Sequence, residues 1–524
     1  MGYVAYEAAA AFDPALNTPP ATTPLARFAI YDRWEDLDAL PVPENPAPNL
    51  DWQPEIDAET YRDRVRRIRE FIAAGDTYQV NFTLRLRATG PGDPYGLFHR
   101  MNPCRRTAFA GYWVDDDLAI CGASPELFFS LEGDQLTCRP MKGTAPRGRT
   151  THEDATIAAQ LRASEKNRAE NLMILDMVRS DLGRIAEVGS VRASDVFHIE
   201  RYSTVHQMTS TASCSTQASL SEIFAALFPA ASMTGAPKPR TMEIIRDLEA
   251  SPRGIYSGCF GTVGPGRQAR FGVAIRTAVL DRAQDEWAYG VGGGIVWDST
   301  AESEAAEWRT KAAIILETPT PPFSLLETFR WTPDGGYWLL QGHLDRLADS
   351  AAYFDRELDI EVVRNALEVH AKHLAEPRRV RLTISEGGKL EISDEMLPAW
   401  PAKPRVAISP EPVPDDPLLF HKTDRRGLYH RALAAHPGCD EVLLQNESGE
   451  ITEGTFTNVA VRIGEKLWTT PHAAGVVPGV LRAHMISDGE LDIRVLTPAD
   501  LLAADEVVLL NSVRGMSPPV ELSP

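Results

Sequence analysis

The sequence contains no long apolar run and no excess of basic residues. No stretch approaches the roughly 20 apolar residues of a membrane-spanning helix, and no basic segment followed by an apolar one stands at the start, so neither a span nor a secretion signal is predicted. The 53 lysines and arginines are outnumbered by 73 aspartates and glutamates, which gives a formal net charge of −20. Nucleic acid and anionic membrane surfaces are therefore not expected as partners, because both require a basic face.

Cysteine is also scarce. The six cysteines of the 524 residues include no C-x-x-C pair, which favours reduced thiols in a cytoplasmic protein over disulfides or a zinc site. A cysteine-nucleophile elbow with a matching His-Glu pair, as a glutaminase requires, is not visible either. We therefore expect no glutaminase activity in the chain.

Hydrophobic residues make up 43% of the chain and charged residues 24%, values that are ordinary for globular proteins. At about 150 residues per domain, the length predicts two to four domains. Residues 317–322 carry three prolines within four positions, which forbids a helix and favours an extended spacer. We predict a first domain over 1–316, a linker over 317–322 and a second domain over 323–524. The first mixes helices with antiparallel strands without βαβ alternation, so its predicted class is α+β.

One lysine dominates the first domain, because it lies between a proline turn and a glycine. Residues 139–148 read RPMKGTAPRG, and Glu126 lies shortly upstream in Ser-Pro-Glu. Lys142 can be an ordinary solvated cation, or a neutral nucleophile if it is buried. Glu126 and Lys142 flank a predicted hairpin with Gly133-Asp134 at its turn, so they can face one pocket from adjacent strands.

Three glutamates on two predicted helices supply separated carboxylates. Ser164 is a candidate N-cap for a helix to about Val188 that carries Glu170, and a second helix carries Glu304 and Glu307. Without clustered histidine or cysteine, such carboxylates suit a hard, partly hydrated Mg²⁺; a solvated helix face is the alternative. The glycine run 292–294 either offers bare backbone N–H groups to a carboxylate or is simply a turn.

Together these motifs resemble the chorismate-utilising enzymes over about residues 1–316. The matching segments are YQVN (78–81), SPE (124–126), PMKGT (140–144), RAENLM (168–173), TGAPK (234–238), IRT (275–277) and GGGIVWDS (292–299). The resemblance implies an antiparallel-sheet α/β sandwich. Members of the family usually carry a further N-terminal segment that contributes to an amino-acid feedback pocket, so no such pocket is expected here.

The resemblance also implies roles for individual residues. They are metal ligands for Mg²⁺ that binds the ring carboxylate of chorismate (Glu170, Glu304, Glu307), groups that hold the enolpyruvyl carboxylate (Arg276, Tyr256), groups that orient the substrate (Thr234, Gly235, Gly292, Gly293, Gly294) and a general acid for the departing hydroxyl (Glu126).

Two positions indicate the branch of the family. Members that form isochorismate or salicylate carry a lysine at the place of Gln79, where it activates water; glutamine cannot, so ammonia is the predicted nucleophile. Anthranilate synthases usually have a small residue at the place of Lys142. The resemblance implies that Lys142 attacks ring carbon 2 before ammonia enters at carbon 4, giving 4-amino-4-deoxychorismate. Gln207 occupies the usual place of a histidine that helps to expel pyruvate, which mildly favours the same prediction.

The second domain contains the residue types that a pyridoxal-phosphate (PLP) enzyme needs: a Schiff-base lysine, an acid facing the pyridinium nitrogen and a phosphate cradle. Lys422 can be the first and Glu453 the second. The cradle and its surroundings can be formed by Arg346, Thr457, Asn458, Gly479, Val480, Leu481 and Ser512. In order, these motifs resemble the fold-type IV enzymes, which include D-amino-acid aminotransferases, branched-chain aminotransferases and 4-amino-4-deoxychorismate lyases.

The motifs alone leave lyase and aminotransferase activity open, and the fusion favours the lyase. We predict a bifunctional enzyme that makes p-aminobenzoate for folate, with ammonia from a separate glutamine amidotransferase. Fold-type IV relatives usually dimerise, which favours a homodimer through the second domain. The alternatives are an anthranilate-type enzyme fused to an aminotransferase, a first domain that is only a scaffold, and a second domain that transaminates. Arg381 is a weak candidate for a substrate contact.

Overall fold

The computed structural model describes residues 1–37, 40–102, 108–202, 204–317 and 321–523. The chain forms two compact units: unit 1 comprises Met1–Pro146 and Ala158–Pro319, and unit 2 comprises Arg147–Ile157 and Thr320–Pro524. Half of the predicted linker, residues 318–320, lies outside the described residues. Among the described helices, none is long and apolar enough to cross a membrane.

Unit 1 is built on antiparallel strands. In chain order they are β1 (Gly2–Val4), β2 (Ala26–Phe28), β3 (Gln53–Pro54), β4 (Gln79–Thr89), β5 (Phe109–Val114), β6 (Leu118–Ser124), β7 (Leu127–Glu132), β8 (Gln135–Arg139), β9 (Met141–Pro146), β10 (Arg192–Arg201), β11 (Val205–Ser215), β12 (Gly235–Ala236), β13 (Cys259–Gly264), β14 (Gln268–Val273), β15 (Thr277–Asp281) and β16 (Glu286–Ile295). They form a nine-stranded sheet, β10-β11-β8-β7-β14-β13-β1-β2 with β9 on β11, and a seven-stranded sheet, β12-β4-β16-β15-β6-β5 with β3 on β4.

The helices preceding unit 2's main part are α1 (Ala9–Phe12), α2 (Ala58–Ala73), α3 (Pro94–Met101), α4 (Thr151–Ala163), α5 (Glu165–Gly183), α6 (Leu220–Leu227), α7 (Lys238–Leu248) and α8 (Ala301–Leu316). The predicted cap of α5 is confirmed, because the Ser164 side chain accepts from the Asn167 amide. The helix ends at Gly183, before the expected Val188.

Apolar side chains on both sheets create the cores of unit 1. One core joins the nine-stranded sheet to α5 and α6, and a second joins the seven-stranded sheet to α2, α3 and α8. A third cluster takes Tyr3 and Phe260 from the first sheet and Ile120 from the second, so the two sheets pack face to face. The helices therefore cover the outer faces of a two-sheet sandwich, which confirms the predicted class.

Two crossings between the sheets lie side by side in this sandwich. The chain passes from β6 to β7 through Pro125 and Glu126, and from β14 to β15 through residues 274–276. The crossings are joined by hydrogen bonds from the Val273 amide to the Glu126 carbonyl (3.0 Å) and from the Ala123 amide to the Arg276 carbonyl (2.9 Å). The crossings therefore bring Glu126 and Arg276 to the same region.

Unit 2 contains three smaller sheets. Their strands are β17 (Leu325–Thr332), β18 (Gly336–Tyr337), β19 (Arg378–Ile384), β20 (Leu390–Met396), β21 (Arg405–Val413), β22 (Glu441–Asn446), β23 (Ile451–Gly454), β24 (Asn458–Ile463), β25 (Lys466–Thr469), β26 (Asp492–Ile493), β27 (Glu506–Asn511), β28 (Gly515–Met516) and β29 (Glu521–Leu522). The sheet orders are β18-β17-β19-β20, β23-β22-β21-β29 and β26-β25-β24-β27-β28. The helices are α9 (Leu340–Tyr353), α10 (Ile360–Ala371), α11 (Gly427–Ala435), α12 (Val480–Ser487) and α13 (Pro498–Ala503).

We expect truncation of the phenyl cluster in unit 1 to be strongly destabilising. Phe129 is fully buried, and its ring lies 5.4 Å from that of Phe224 and 5.2 Å from that of Phe271. Phe129→Ala leaves a cavity, which should lower the free energy of unfolding by about 3–5 kcal/mol. Leu172→Ala, at an exposed position of α5, should change it by only about 0.5 kcal/mol. Urea unfolding followed by near-ultraviolet circular dichroism measures both; equal effects would contradict this account of the core.

Candidate functional site

Lys142 projects from β9 towards α5. Its Nζ lies 3.2 Å from Glu170 Oε2, and its side chain is 20% exposed. Asn171, the next residue of α5, donates from Nδ2 to the Lys142 carbonyl (3.1 Å) and to the Met208 carbonyl (3.2 Å). These bonds fix the backbone of β9 against α5 and β11, so Lys142 occupies a defined position.

The glycine run in β16 makes room for this lysine. A Cβ at Gly294 would lie 2.7 Å from Lys142 Nζ and 3.0 Å from Gln79 Nε2, and a Cβ at Gly293 would lie 2.9 Å from Glu304 Oε2. A side chain at either position would therefore have to displace the ends of these side chains. Lys142 and Gln79 meet at Gly294, and Glu304 approaches the neighbouring Gly293 from the other face of the strand, although the motifs lie far apart in the sequence.

The carboxylates of α8 differ in their partners. Glu304 accepts from Ser299 Oγ (2.6 Å), its Oε2 is buried without a partner, and burial raises its pKa. Burial would also raise the pKa of Glu307, but Lys311, whose Nζ lies 2.6 Å away, lowers it overall. Lys311 also donates to the Gly292 carbonyl (2.9 Å). Lys311 was not predicted from the sequence, although its spacing of four residues after Glu307 indicates an ion pair on one helix face.

The predicted metal ligands are only partly assembled. The charge of Glu307 adds to the effect of burial in raising the pKa of Glu304, whereas Glu170 is paired with Lys142. Within the described ranges no group of three acidic, histidine or cysteine side chains stands ready to hold a metal. The unpartnered, buried Oε2 of Glu304 nevertheless fits a cation, because a buried oxygen without a donor or cation is costly.

Glu126 lies at the crossing from β6 to β7. Burial raises its pKa to about 7, and hydrogen bonds from Ser232 Oγ (2.6 Å) and the Met141 backbone oppose the rise. At neutral pH this carboxyl group can therefore give or take a proton. The Met141 bond ties Glu126 to β9, the strand that also carries Lys142. Ser232 was missed; its position two residues before Thr234 in the T-G-A-P-K motif is the signal that could have found it.

Gln79 and the Thr234–Gly235 segment form one edge of the site. Gly235 pairs with Val80 in the second sheet, and the Asn81 amide donates to the Thr234 carbonyl (2.8 Å). Gly235 has φ +153°, and a Cβ there would collide with the Gln79 carbonyl. Gln79 is buried and its Oε1 has no partner, so it is available to a ligand.

Arg276 ends the second crossing with a positive φ of 46°. Burial lowers its pKa, its guanidinium lies 5.7 Å from the Tyr202 ring, and no carboxylate of the described residues pairs with it. Tyr256 packs instead against Gly290 and under Arg85 (5.2 Å). Tyr256 and Arg276 both lie near Tyr289, and their predicted shared role in binding a carboxylate stays a prediction.

Lys422 is the central cation of unit 2. Burial, together with the charges of Arg346, Arg426 and Arg381, lowers its pKa to about 7, and Glu327 opposes this shift. Part of its surface remains accessible. Its carbonyl accepts from the Leu326 amide of β17 (2.9 Å). At neutral pH a substantial fraction of this amine is therefore uncharged and can act as a base.

The residue before Lys422 packs on a second part of unit 2. The His421 ring stacks on Tyr353, with 4.3 Å between ring centroids, and its Nδ1 lies 3.0 Å from Ser350 Oγ. Tyr353 OH donates to the Gly148 carbonyl (2.7 Å), which belongs to the Arg147–Ile157 segment of this unit. The backbone of Lys422 is thus held from both sides.

Glu453 is a buried acid held by three donors. Tyr429 OH donates to its Oε1 (2.8 Å), while the Val477 amide (3.1 Å) and Asn458 Nδ2 (3.4 Å) reach its Oε2. Burial nevertheless raises its pKa to about 8. Its ionised form therefore needs a cationic partner, as a protonated ring nitrogen would provide.

Arg346 is partly committed to an internal ion pair. Its Nε and Nη2 donate to Glu327 (2.8 and 2.7 Å), and its Nη1 donates to the Pro478 carbonyl (2.9 Å). Although burial alone would raise the pKa of Glu327, Arg346 and His343 hold it well below its usual range. Glu327 was not predicted from the sequence as the partner of Arg346. The Pro478 contact places Arg346 beside the start of α12.

The remaining predicted cofactor residues surround that helix start. Gly479 is the N-cap of α12, so the amides of Val480 and Leu481 are free of helical partners. A Cβ at Gly479 would collide with Asn458. Thr457 is used differently, because its Oγ1 donates to Glu441 (2.8 Å). Ser512 is buried, and Arg381 is exposed.

Glu126→Gln tests the charge state of the first cluster. The folded protein holds the Glu126 proton up to about pH 7, whereas the unfolded chain releases it near 4.5. The stabilising effect of this proton is therefore lost as the pH rises through 7. The free energy of unfolding of Glu126→Gln, relative to that of the parent, should increase by about 2 kcal/mol between pH 5 and pH 8. Chemical denaturation at both pH values measures it, and a pH-independent difference would refute the shift.

Comparison with known proteins gives two family matches. The sequence model of the chorismate binding enzymes matches residues 1–317, and that of the class IV aminotransferases matches residues 324–522. Aminodeoxychorismate synthase component 1 of Escherichia coli is 38% identical over 269 residues, 51% of this chain and 59% of that protein. Anthranilate synthase component 1 3 of Haloarcula marismortui is 38% identical over 270 residues, 51% of this chain and 53% of that protein. The chain thus spans little more than half the length of these relatives.

A solved structure supports the fold of the first part. Anthranilate synthase component I from Streptococcus pneumoniae superposes with a TM-score of 0.53 and 26% identity, covering 60% of this chain and 79% of that one. Relatives named for two different activities, aminodeoxychorismate synthesis and anthranilate synthesis, therefore each match about half of this chain.

Proposed function

The chain belongs to the family of chorismate binding enzymes through residues 1–317, and we propose that it converts chorismate to p-aminobenzoate in two steps. Unit 1 would exchange the ring hydroxyl of chorismate for an amino group, and unit 2 would remove pyruvate from the product, 4-amino-4-deoxychorismate. The observation that carries the proposal is the approach of Lys142 Nζ to Gln79 and Glu170 across the bare backbone of Gly294.

In the first step Lys142 would be the nucleophile. Its Nζ forms a bond to ring carbon 2, and the hydroxyl leaves carbon 4 as water with a proton from Glu126. Ammonia then bonds to carbon 4 and displaces the lysine, and Glu126 takes back a proton. A pKa of about 7 suits Glu126 to both transfers. Attack requires the uncharged amine, because an ammonium ion has no lone pair, so Lys142 must first leave its ion pair with Glu170 and release a proton to solvent.

The groups around Lys142 favour ammonia over water. Gln79 lies beside Lys142 with an unpartnered Oε1, but an amide cannot remove a proton from water. Arg276, which lacks a carboxylate among the described residues, would bind the enolpyruvyl carboxylate. Glu304 and Glu307, with Glu170 once released from Lys142, would hold Mg²⁺, which supplies positive charge for the ring carboxylate. Thr234 and Gly235 would orient the substrate.

In the second step Lys422 would act as the base. Bound PLP would withdraw electrons from the amine-bearing carbon. Lys422, with a pKa near 7, removes the proton from that carbon, and aromatisation of the ring drives the departure of pyruvate. Glu453 would face the ring nitrogen, and Arg346 with the amides of Val480 and Leu481 would bind the phosphate.

The supply of ammonia would come from a separate glutamine amidotransferase. The E. coli relative is named component 1, which implies a companion, and no glutaminase motif is visible in the sequence. A cytoplasmic location belongs to the same proposal, since the five described cysteines are free. So does a homodimer through unit 2.

Anthranilate synthesis is the second candidate, because a relative of equal identity carries that name. Lys142 opposes it, since ammonia would then enter at carbon 2, the atom to which the lysine bonds. Gln207, whose Oε1 accepts from Thr144 (3.1 Å), also lacks the basic nitrogen that would assist pyruvate release in that reaction.

Lys142→Ala should separate the two steps. The parent, given chorismate, ammonium, Mg²⁺ and PLP, should form p-aminobenzoate. The variant should aminate chorismate at least roughly 100-fold more slowly, because it loses the nucleophile. Conversion of supplied 4-amino-4-deoxychorismate should be unchanged, which serves as the internal control. An unchanged amination rate would remove Lys142 from the mechanism, and anthranilate as the product would support the second candidate.

Lys422→Ala tests unit 2. The variant should lose the absorbance band of lysine-bound PLP and should not release pyruvate, because it lacks both the attachment point and the base. Lys389→Ala, at a surface position with a side chain 76% exposed, should keep both. Retention of the band in Lys422→Ala would reject this lysine, and amino transfer to 2-oxoglutarate without pyruvate release would establish an aminotransferase instead.

A further inference from the structure

Two arginines of unit 2 form no ion pair with a carboxylate of the described residues, and one of them, Arg426, lies close enough to Lys422 and Glu453 for its charge to act on both. Arg426 and Arg514 are both partly buried, and neither forms an ion pair with any acid of the described residues. Arg346, by contrast, is paired with Glu327. Removing a guanidinium from water without a counter-ion is unfavourable, so a pair of such residues indicates that an anionic ligand completes them.

Both guanidinium groups are held in place by other means. Arg426 lies over the Tyr429 ring (4.5 Å) and donates from Nη2 to the Thr455 carbonyl. Arg514 lies over Trp400 (3.9 Å) and over Phe456 (5.0 Å). Stacking on rings leaves the planar edge of a guanidinium, which carries its N–H donors, open to a carboxylate. The two side chains are thus positioned before any ligand arrives.

One turn carries the contacts of both arginines. The turn Gly454–Thr457 connects β23 to β24, and the Gly454 amide closes it by donating to the Thr457 carbonyl (2.7 Å). Glu441, which is fully buried, accepts from the Thr455 amide (2.7 Å) and from Thr457 Oγ1 (2.8 Å). Since Arg426 bonds to Thr455 and Arg514 stacks on Phe456, the rigid turn fixes the two cations relative to each other.

The same turn lies beside the reactive groups. Glu453 immediately precedes it, and the charge of Arg426 lowers the pKa of both Lys422 and Glu453. Phe456 is 40% exposed although it lies among these buried polar groups. Phe456 thus has an exposed aromatic face next to Arg514, and Arg426 bonds to the preceding residue. The turn therefore provides an apolar surface for a ring and donors for its charged substituents.

We propose that Arg426 and Arg514 form a binding subsite for a cyclic dicarboxylate, with Phe456 against its ring. The inference rests on the proposed function and narrows the substrate class of unit 2. A ring with two carboxylates, such as 4-amino-4-deoxychorismate, uses both arginines. An ordinary amino acid with one carboxylate uses only one. The subsite therefore favours the lyase substrate over a general aminotransferase substrate.

Binding of isophthalate, a planar ring with two carboxylates, tests the subsite in the PLP-loaded full chain. Titration calorimetry should show tighter binding of isophthalate than of benzoate, which has one carboxylate. Arg426→Met and Arg514→Met should each weaken isophthalate binding roughly tenfold or more, because each removes a charged hydrogen-bonding partner. The KM for 4-amino-4-deoxychorismate should rise in the same proportion, with a smaller change in kcat.

Matched variants distinguish binding from folding. Arg462→Met removes an arginine of β24 that is paired with Glu506 of β27. This variant should leave isophthalate binding unchanged. Arg514→Lys keeps the charge and should recover part of the affinity. The PLP absorbance band should persist in every variant; its absence from the parent would refute the proposed function alone. Equal affinity for isophthalate and benzoate, or loss of the band in both methionine variants, would overturn the subsite.

Discussion

The arrangement of unit 1 depends on the absence of side chains from two consecutive positions of β16. At Gly293 and Gly294 a Cβ would occupy the space taken by Glu304, Lys142 and Gln79. Because β16 pairs along its whole length with β4, the backbone cannot move away without breaking the centre of the sheet. A side chain at either position would therefore displace Lys142, Gln79 or Glu304 from its present place, and the arrangement of the site follows from this constraint.

Burial favours the uncharged form of the reactive groups in both units. It raises the pKa of Glu126 and Glu453 and lowers that of Lys422, so all three titrate near neutrality. Desolvation alone would leave these groups uncharged. The hydrogen bonds from Ser232 and Tyr429 moderate the effect on the two acids, and the residual shift is the one that proton transfer at neutral pH requires.

The sequence was sufficient for groups whose motifs are local and insufficient for groups that act through distant contacts. The fold class and the cap of α5 are confirmed, and Lys142 is found beside Gln79. Ser232 and Glu126 are 106 residues apart, and Glu327 meets Arg346 from a neighbouring strand, so no spacing rule could reveal either pair. Arg147–Ile157 packs in unit 2 because of tertiary contacts, which proline content in residues 317–322 cannot indicate. The predicted site roles themselves stay predictions.

Some of the unsatisfied polar groups of the protein lie in its candidate sites. Gln79 Oε1 and Glu304 Oε2 are buried without partners, and Arg276, Arg426 and Arg514 lack counter-ions among the described residues. Each buried polar atom left unpaired costs about 1–3 kcal/mol, a large fraction of a typical folding free energy. Anionic ligands that meet these cations would therefore stabilise the fold, so the three arginines support the proposal of anionic substrates. The two unpartnered oxygens are acceptors and instead fit a hydrogen-bond donor or a cation.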